Sequence, residues 1–436
     1  MRLLNYLRNK SFWFIDSLKG AQIRNYFNEI SAINNNPTNS HSLKIKKQHI
    51  EALLKHATES TPFYFNYKNI DSINEFPVIR KTVIQENFKD FQSIPYLQKQ
   101  NHKVSTSGST GTPFFIFQNK SKRNRNYADV LYFSGESNFK IGNRLYELEV
   151  WRKHNKKSFF KSSFQNIIQF DISKLTDDRI LNFINILSNT KQKKSILGFA
   201  SSLEQICQYL DRNKTELNNL NINSVIANSE YLNHYTKTTL GNHFNTPILS
   251  RYSSEEIGII AHQTSNSVEH FIINHASYHV ELLDLEEDKP AKPGDFGRII
   301  VTDLFNYSMP IIRYDTGDIA KLIELKNGQT KFEKIEGRKM DLIFDTRGNI
   351  ISSFLVYTKF YNYYTLLKQY QFIQQGEKEY EVKLNVLDKF PYERELVESI
   401  KKDFGSDAKV TITYLDEIPV LSSGKRKKVV NNYQKV

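Results

Sequence analysis

The sequence predicts an α/β protein with a large multi-layer N-terminal domain, residues 1–338, and a small α+β C-terminal domain, residues 339–436. Three observations favour this fold class. The chain has 436 residues, which is enough for roughly two to four domains of ordinary size. Its middle part repeats the order of apolar run, turn residues and amphipathic helix, which is typical of α/β layering. Its last part alternates short strands and helices.

The elements follow from the local pattern in chain order. Residues 1–100 are predicted to be mostly helical, with a break at Ser60, Thr61 and Pro62, because proline cannot continue a helix. In the middle part, strands are predicted at 114–117, 195–199, 224–227, 298–302, 319–325 and 332–335, and helices at 203–210 and 231–244. In the C-terminal part we predict a hairpin around 347–349, helices near 360–370 and at 392–404, and strands at 379–386 and 409–414.

The composition excludes several classes of protein. Hydrophobic residues make up 39% of the chain and charged residues 25%, so there is enough apolar surface for a buried core, and wholesale disorder is excluded. Cys207 is the single cysteine, which excludes an internal disulfide and a cysteine-rich zinc cluster. We therefore expect no zinc site and a cytoplasmic protein.

The chain carries a formal net charge of +13. Its lysines are dispersed, and no nucleic-acid-binding motif accompanies them, so a solvated basic surface is favoured over a polyanion-binding function, and no nucleic acid is expected as a partner. Near the N-terminus no apolar run approaches the length of a spanning helix, so we expect no integral membrane segment. A peripheral membrane contact through this segment stays open, and it would use Leu3, Leu4, Leu7, Phe12, Phe14 and Ile15.

A loop of hydroxyl residues and glycine precedes the apolar run at 114–117. It holds Ser107, Gly108, Ser109, Thr110 and Gly111. Glycines let the backbone turn its N–H groups inward, and small hydroxyl side chains add hydrogen-bond donors, so such a loop can surround a phosphate. A polar hairpin turn explains the same residues equally well. No lysine follows Gly111, so this is not a P-loop.

Four later motifs could also carry chemistry. Tyr252 and Glu256 combine an aromatic face with a carboxylate, and we expect both on a loop. Asp318 follows Gly317 after an apolar run at 310–312 that reads as a strand, so its carboxylate could accept hydrogen bonds from ribose hydroxyls. The other two motifs are Gly337-Arg338 and a near-terminal Ser423-Gly424-Lys425. Taken singly, each is also typical of a turn or a basic tail.

The order of these five motifs resembles the adenylate-forming (ANL) superfamily. Within it, the chain looks most similar to the branch that holds phenylacetate–CoA ligases, coenzyme F390 synthetases and CapK-like proteins. Ser229 and Glu230, which precede the tyrosine motif, are typical of that branch. The resemblance covers nearly the whole chain from about residue 45.

The resemblance implies a role for each motif. Ser107, Gly108, Ser109, Thr110 and Gly111 would hold the pyrophosphate end of ATP, and Tyr252 would lie against adenine. Ser229 and Glu230 would also belong to the nucleotide-binding residues. Asp318 and Arg338 would bind the ribose, and Glu256 would bind Mg²⁺. Lys425 would bridge the substrate carboxylate and the α-phosphate.

The resemblance also implies a mobile C-terminal domain. It would rotate at a hinge that falls on Met340 and Asp341, and it would present the loop around Gly348 to a second substrate, usually coenzyme A. The implied enzyme is an AMP-forming acid–thiol ligase that uses ATP, Mg²⁺ and a small carboxylic acid, and a homodimer stays open. The alternative keeps the adenylation and transfers the acyl group to an amine, a hydroxyl or a carrier thiol, for instance in capsular polysaccharide or secondary metabolite biosynthesis.

The role of Lys425 gives a first prediction. Lys425→Ala should abolish acyl-adenylate formation while ATP still binds, because the missing ammonium leaves transition-state charge uncompensated by about 3 kcal/mol or more, a rate loss on the order of a hundredfold. Pyrophosphate exchange measures this step. Exchange within a few-fold of the wild-type rate would refute the assignment.

Overall fold

The fold is taken from a computed structural model that describes residues 2–70, 72–106, 114–151, 155–215, 217, 220–292, 294–338, 342–351, 353–419 and 427–433. Several predicted site residues lie outside these ranges. They are Ser107, Gly108, Ser109, Thr110, Gly111, Met340, Asp341 and Lys425.

The helices are named in chain order. They are α1 Arg2–Leu18, α2 Gln22–Asn35, α3 Ser40–Ser60, α4 Lys81–Glu86, α5 Lys120–Glu136, α6 Phe159–Gln165, α7 Asp177–Asn189, α8 Ala200–Arg212, α9 Gly241–Phe244, α10 Ser353–Thr358 and α11 Glu393–Phe404. A short π-helical turn, Thr236–Leu240, precedes α9. No helix in the described ranges is long and apolar enough to cross a membrane.

The strands are named in the same way. They are β1 His102–Thr106, β2 Phe114–Gln118, β3 Arg144–Glu149, β4 Ile167–Asp171, β5 Lys194–Phe199, β6 Ile222–Asn228, β7 Ile248–Ser254, β8 Gly258–Thr264, β9 Ser267–Ile273, β10 Tyr278–Leu283, β11 Phe296–Asp303, β12 Tyr314–Glu324, β13 Thr330–Arg338, β14 Ile343–Phe344, β15 Ile350–Ile351, β16 Leu367–Gln374, β17 Glu379–Val386, β18 Lys409–Tyr414 and β19 Val429–Asn431.

Most predicted elements are confirmed, including the helical N-terminal part, its break after Ser60 and the hairpin at 347–349. Two predicted elements are wrong, and a third starts later than predicted. Residues 310–312 form no strand, since β12 begins only at Tyr314. The helix near 360–370 is a short turn followed by β16, because β16 pairs with β17 and β19 and this pairing overrides local spacing. The helix predicted to start at 231 starts later, around the π-helical turn.

The described chain forms two compact units. The first unit comprises Met1–Asn143, Phe164–Asn166 and Leu249–Ile335, and the second comprises Arg144–Ser163, Ile167–Ile248 and Glu336–Val436. The boundary that we predict at residue 338 stays a prediction. The α/β fold class, with a large sheet and a C-terminal α+β part, is confirmed.

The first unit is built on a sheet whose strand order is β10-β11-β12-β13-β9-β8-β7. Strand β12 pairs antiparallel with β11, and β7 pairs antiparallel with β8. The hairpin β1-β2 and the N-terminal helices pack on the apolar core of this unit, which includes Leu53, Tyr64, Phe114 and Ile257. The first unit therefore contains the tyrosine and aspartate motifs. It also contains the hairpin β1-β2, called the glycine-loop hairpin below because its strands precede and follow residues 107–113 in the chain.

The second unit contains two sheets. Strands β6-β5-β3-β4 are parallel, and their core includes buried residues of α7 and α8. The C-terminal sheet has the order β18-β17-β16-β19 and packs its apolar residues with those of α10 and α11. Because the first four strands are parallel, their carboxyl ends lie at one edge, where α/β proteins collect ligands.

A buried ion pair fixes helix α5 in the first unit. Lys122 Nζ lies 2.7 Å from Asp303 Oδ2, and both side chains are fully buried. Lys122 also donates to the Tyr278 hydroxyl at 3.2 Å. Burial lowers the pKa of Lys122 and raises that of Asp303, and in each case the charge of the partner opposes the effect.

Lys122→Ala should lower the free energy of unfolding by about 3 to 5 kcal/mol, because it leaves the Asp303 carboxylate buried without its counter-charge. Urea unfolding at pH 7 measures the effect. Lys120→Ala, at an exposed position of the same helix, is the matched control and should change the free energy by about 0.5 kcal/mol or less. Equal effects of the two substitutions would contradict the role of the ion pair.

Candidate active site

The tyrosine and aspartate motifs meet in the first unit. The Tyr252 hydroxyl donates to Asp318 Oδ2 at 2.8 Å and lies 3.3 Å from Thr316 Oγ1. The three residues are half-buried. Tyr252 lies in strand β7 and Asp318 lies in strand β12, so the loop position predicted for Tyr252 and the position past a strand predicted for Asp318 are both wrong.

A bulge in β12 produces this contact. Asp315 and Ile319 of β12 pair with Ile300 and Arg298 of β11, so three residues of β12 stand opposite Ile299 alone. The bulge contains Gly317, whose φ of 77° lies in the left-handed region that favours glycine. Within it the Thr316 hydroxyl donates to the Ile299 carbonyl, and the Asp318 N–H donates to Thr316 Oγ1.

A buried salt bridge supports the start of the bulge. Arg298 Nη1 lies 2.8 Å from Asp315 Oδ2, and both side chains are nearly fully buried. The other oxygen of Asp315 accepts the Gly317 N–H at 2.9 Å. The backbone at Gly317 is therefore held by the side chain that Arg298 positions.

Glu256 lies in the turn between β7 and β8, close to the same strand. Its Oε1 accepts a hydrogen bond from the Tyr314 hydroxyl at 3.1 Å, and its backbone carbonyl accepts one from Gln118 Nε2. The carboxylate is half-buried, whereas Glu255 beside it is exposed. Gln118 ends β2 and pairs with His102, so this contact places the end of the hairpin that is remote from residues 107–113 beside the Glu256 turn.

Both tyrosines are neutral hydrogen-bond donors. Burial, and then the charge of Asp318, raises the pKa of the Tyr252 hydroxyl well above its usual range. Burial, and then the charge of Glu256, does the same for Tyr314. Each hydroxyl therefore stays protonated at neutral pH and donates to a carboxylate.

The glycine-rich loop itself lies outside the described residues. The strands on either side of it pair in register, with Thr106 opposite Phe114. The chain thus enters and leaves the segment 107–113 at neighbouring positions of one hairpin.

Ser229 and Glu230 lie at the carboxyl edge of the parallel sheet in the second unit. Ser229 follows β6 in the left-handed region, with φ of 68°. The Glu230 carboxylate accepts the Ser201 N–H at 2.8 Å, at the first turn of α8. Trp151 lies at the same edge, where its indole N–H donates to the Phe170 carbonyl.

The chain that follows Lys425 is described from Lys427, within the second unit. Gln371 of β16 donates to the Lys427 carbonyl at 2.8 Å. The Lys428 ammonium forms an ion pair with Glu204 of α8 and lies 4.8 Å from the centre of the Tyr370 ring.

A cavity of about 30 Å³ lies between α8 and this segment. Its lining includes Ser201, Glu204, Lys427 and Lys428. Ser201 is the residue whose N–H binds Glu230, so the segment that follows Lys425 runs beside the first half of α8.

The remaining predicted residues lie in the second unit. Gly348, with φ of 81°, lies in the turn between β14 and β15, where the Asp345 carboxylate accepts the N–H groups of Arg347 and Asn349. Arg338 is the last residue of β13. The motifs in the sequence assign no role to Tyr314 or Thr316. Tyr314, Thr316 and Asp318 occupy every second position, as residues on one face of a strand do, and the bulge of β12 interrupts that alternation.

The described residues contain no group of three His, Cys, Asp or Glu side chains that could hold a metal ion. Glu256 offers a single, partly exposed carboxylate, fixed by Tyr314. Mg²⁺ often binds through one or two carboxylates together with substrate phosphates, so Glu256 fits that mode of binding.

Comparison with known proteins begins with the C-terminal part. Residues 343–432 match the family model described as the CapK C-terminal domain. Over the whole chain, Protein CapK of Staphylococcus aureus is 23% identical over 468 residues, which cover 99% of this chain and 100% of that protein.

Solved structures share the fold. A 2-hydroxyisobutyryl-CoA ligase in the postadenylation state, in complex with R3-HIB-AMP, has a TM-score of 0.71 at 14% identity and covers 90% of each chain. The anthranilate CoA ligase AuaEII, in complex with anthranoyl-AMP, has a TM-score of 0.54 at 14% identity, covering 74% of this chain and 65% of that chain. The chain therefore shares the fold of these two CoA ligases, and the predicted resemblance to the CapK-like branch of the adenylate-forming superfamily is confirmed.

Proposed function

We propose that this chain is an ATP-dependent ligase that activates a carboxylic acid as an acyl-adenylate and releases pyrophosphate. The observation that carries the proposal is the Tyr252–Asp318 contact, next to the Glu256 turn and the glycine-loop hairpin. Similarity to CapK and a fold shared with ligases that hold acyl-AMP in their structures also support it.

The nucleotide would bind along β7 and β12. The Tyr252 hydroxyl stays protonated and donates a hydrogen bond to one oxygen of Asp318, which orients the carboxylate. The other oxygen of Asp318 would accept hydrogen bonds from the ribose hydroxyls, with Arg338 as a second ribose ligand. The Tyr252 ring would lie against adenine, and Ser229 and Glu230 would line the nucleotide site as in the family.

The phosphates would lie toward the hairpin β1-β2. Residues Ser107, Gly108, Ser109, Thr110 and Gly111 would donate to the pyrophosphate end of ATP. Glu256 would hold Mg²⁺, which neutralises charge on the phosphate oxygens when it is bound. Tyr314 keeps the Glu256 carboxylate oriented for that role.

Lys425 would complete the site for the first half-reaction. Lys425 lies outside the described residues, and the description resumes at Lys427. Lys427 lines the cavity beside α8, whose first turn binds Glu230 at the carboxyl edge of the parallel sheet. The Lys425 ammonium would contact a substrate carboxylate and the α-phosphate, as the family resemblance implies.

The two half-reactions can be written with atoms balanced. A carboxylate oxygen attacks the α-phosphorus, the bond from that phosphorus to the bridging oxygen breaks, and pyrophosphate leaves. The acyl carbon is then attacked by the thiol of coenzyme A, which loses its proton, and AMP leaves.

We propose that residues 339–436 rotate about Met340 and Asp341 between the two steps and bring the Gly348 turn to the second substrate. An amine, a hydroxyl or a carrier thiol as the acceptor is the alternative that the sequence leaves open.

A direct experiment is mass spectrometry of the purified protein with ATP, Mg²⁺ and a panel of carboxylic acids. Acyl-AMP and carboxylate-dependent pyrophosphate exchange are expected with at least one acid. Addition of coenzyme A or of an amine then separates the two acceptor classes. ATP binding without acyl-AMP or exchange for any acid of a broad panel would count against adenylation.

Asp318→Ala should weaken ATP affinity by at least tenfold, because a charge-assisted hydrogen bond contributes about 1.5 to 3 kcal/mol. Titration calorimetry measures the affinity. Asp90→Ala, at an exposed position of the first unit, is the matched control and should bind ATP normally. Unchanged affinity of the Asp318 variant, with an unchanged melting temperature in the absence of ligand, would be evidence against ribose binding by Asp318.

Met340→Pro should spare adenylate formation more than acyl transfer, because proline fixes φ and removes one of the two domain poses. The two steps are measured separately, by pyrophosphate exchange and by single-turnover acyl transfer. Met340→Ala leaves φ free and should retain both steps. Normal transfer by a correctly folded Met340→Pro protein would show that the hinge lies elsewhere.

A further inference from the structure

Helix α1 presents an apolar face to solvent. The exposed fractions of Leu3, Phe14 and Leu18 are 70%, 64% and 72%. At about 100° per residue, the exposed aliphatic side chains and Phe14 fall within an arc of about 120°, and Tyr6, which is 57% exposed, lies beyond one edge of it. This outer face of α1 consists of Leu3, Leu4, Leu7, Phe14, Ile15 and Leu18.

The opposite side of the helix is anchored to the first unit. Phe12 and Trp13 contact the rings of Tyr127 and Phe27, at centroid distances of 5.9 Å and 5.8 Å. Asp16 is buried and accepts the first N–H groups of α2. Aromatic and polar residues of α1 therefore anchor the helix to the first unit. Its leucine-rich side faces solvent as a result.

Basic residues flank the outer face on both sides. At about 100° per residue, Lys10 lies next to Leu3 on one edge and Arg8 lies on the other edge, and the exposed Lys19 directly follows the helix. Asp16 is the single acidic residue of α1, and its carboxylate is engaged with α2. The charge that borders the outer face is therefore positive.

We propose that α1 docks the protein onto an anionic membrane surface. The outer face would enter the boundary between headgroups and acyl chains, and Arg8, Lys10 and Lys19 would contact anionic headgroups, as in interfacial amphipathic helices. The net charge of +13 adds long-range attraction to such a surface. A second copy of the chain fits this face less well, because pairing two outer faces brings basic edges together with no exposed acid on α1 to compensate them.

Vesicle co-sedimentation of the full chain tests the docking. Binding to vesicles of phosphatidylcholine and phosphatidylglycerol in a 3:1 ratio is expected to exceed binding to pure phosphatidylcholine at least tenfold, and to fall when salt is raised to about 1 M, where charges are screened within about 3 Å. The double variant Leu7→Glu with Phe14→Glu should bind the anionic vesicles at least tenfold more weakly.

The matched control is the double variant Ile94→Glu with Leu97→Glu. These two apolar residues of the first unit are 53% and 58% exposed and lie outside α1. The control has the same change in charge and loses the same number of exposed apolar side chains, so it should retain vesicle binding. Far-UV circular dichroism of both variants should match that of the wild-type protein.

Three results would overturn the proposal. The first is no binding of the wild-type chain to the anionic vesicles. The second is equal loss of binding in the two double variants, which would assign the effect to net charge. The third is a wild-type dimer in sedimentation velocity that Leu7→Glu with Phe14→Glu dissociates, which would assign the outer face to a second copy.

Discussion

The bulge of β12 is the constraint on which the candidate nucleotide site depends. It places three residues opposite Ile299, and it requires a left-handed backbone at Gly317. A Cβ at Gly317 would meet no atom within 4 Å, so the backbone conformation, and not the available space, is what favours glycine there. The bulge brings Asp318 to Tyr252, and the buried Arg298–Asp315 pair holds its start.

The neutral tyrosines set the charge distribution of this site. Tyr252 and Tyr314 each donate a hydroxyl hydrogen bond to a carboxylate, so a neutral group helps to orient each of the two acids. Oriented carboxylates suit the two tasks proposed for them, which are binding ribose hydroxyls by Asp318 and binding Mg²⁺ by Glu256. A lysine or arginine in the place of Tyr314 would also orient Glu256 but would compete with Mg²⁺ for its charge.

The C-terminal residues pack within the second unit through stacked rings. Tyr357 stacks on Tyr231 at 4.6 Å, Tyr364 stacks on Tyr235 at 4.4 Å, and Lys428 pairs with Glu204. Aromatic pairs contribute about 0.5 to 1.5 kcal/mol each beyond their buried area. Contacts of this strength stabilise one position of the C-terminal residues and can still be broken. The proposed rotation of residues 339–436 requires both properties.

The sequence by itself determined the strands at 379–386 and 409–414, the helix near 392–404 and the order of the chemical motifs, because these depend on short-range periodicity and residue type. Only the tertiary structure decided that residues near 367–374 form a strand, since that follows from pairing with β17 and β19. It also decided that the Tyr252 hydroxyl binds Asp318, 66 residues away, and that Tyr314 orients Glu256. Such contacts depend on strand order and on a bulge in register, which no local pattern encodes.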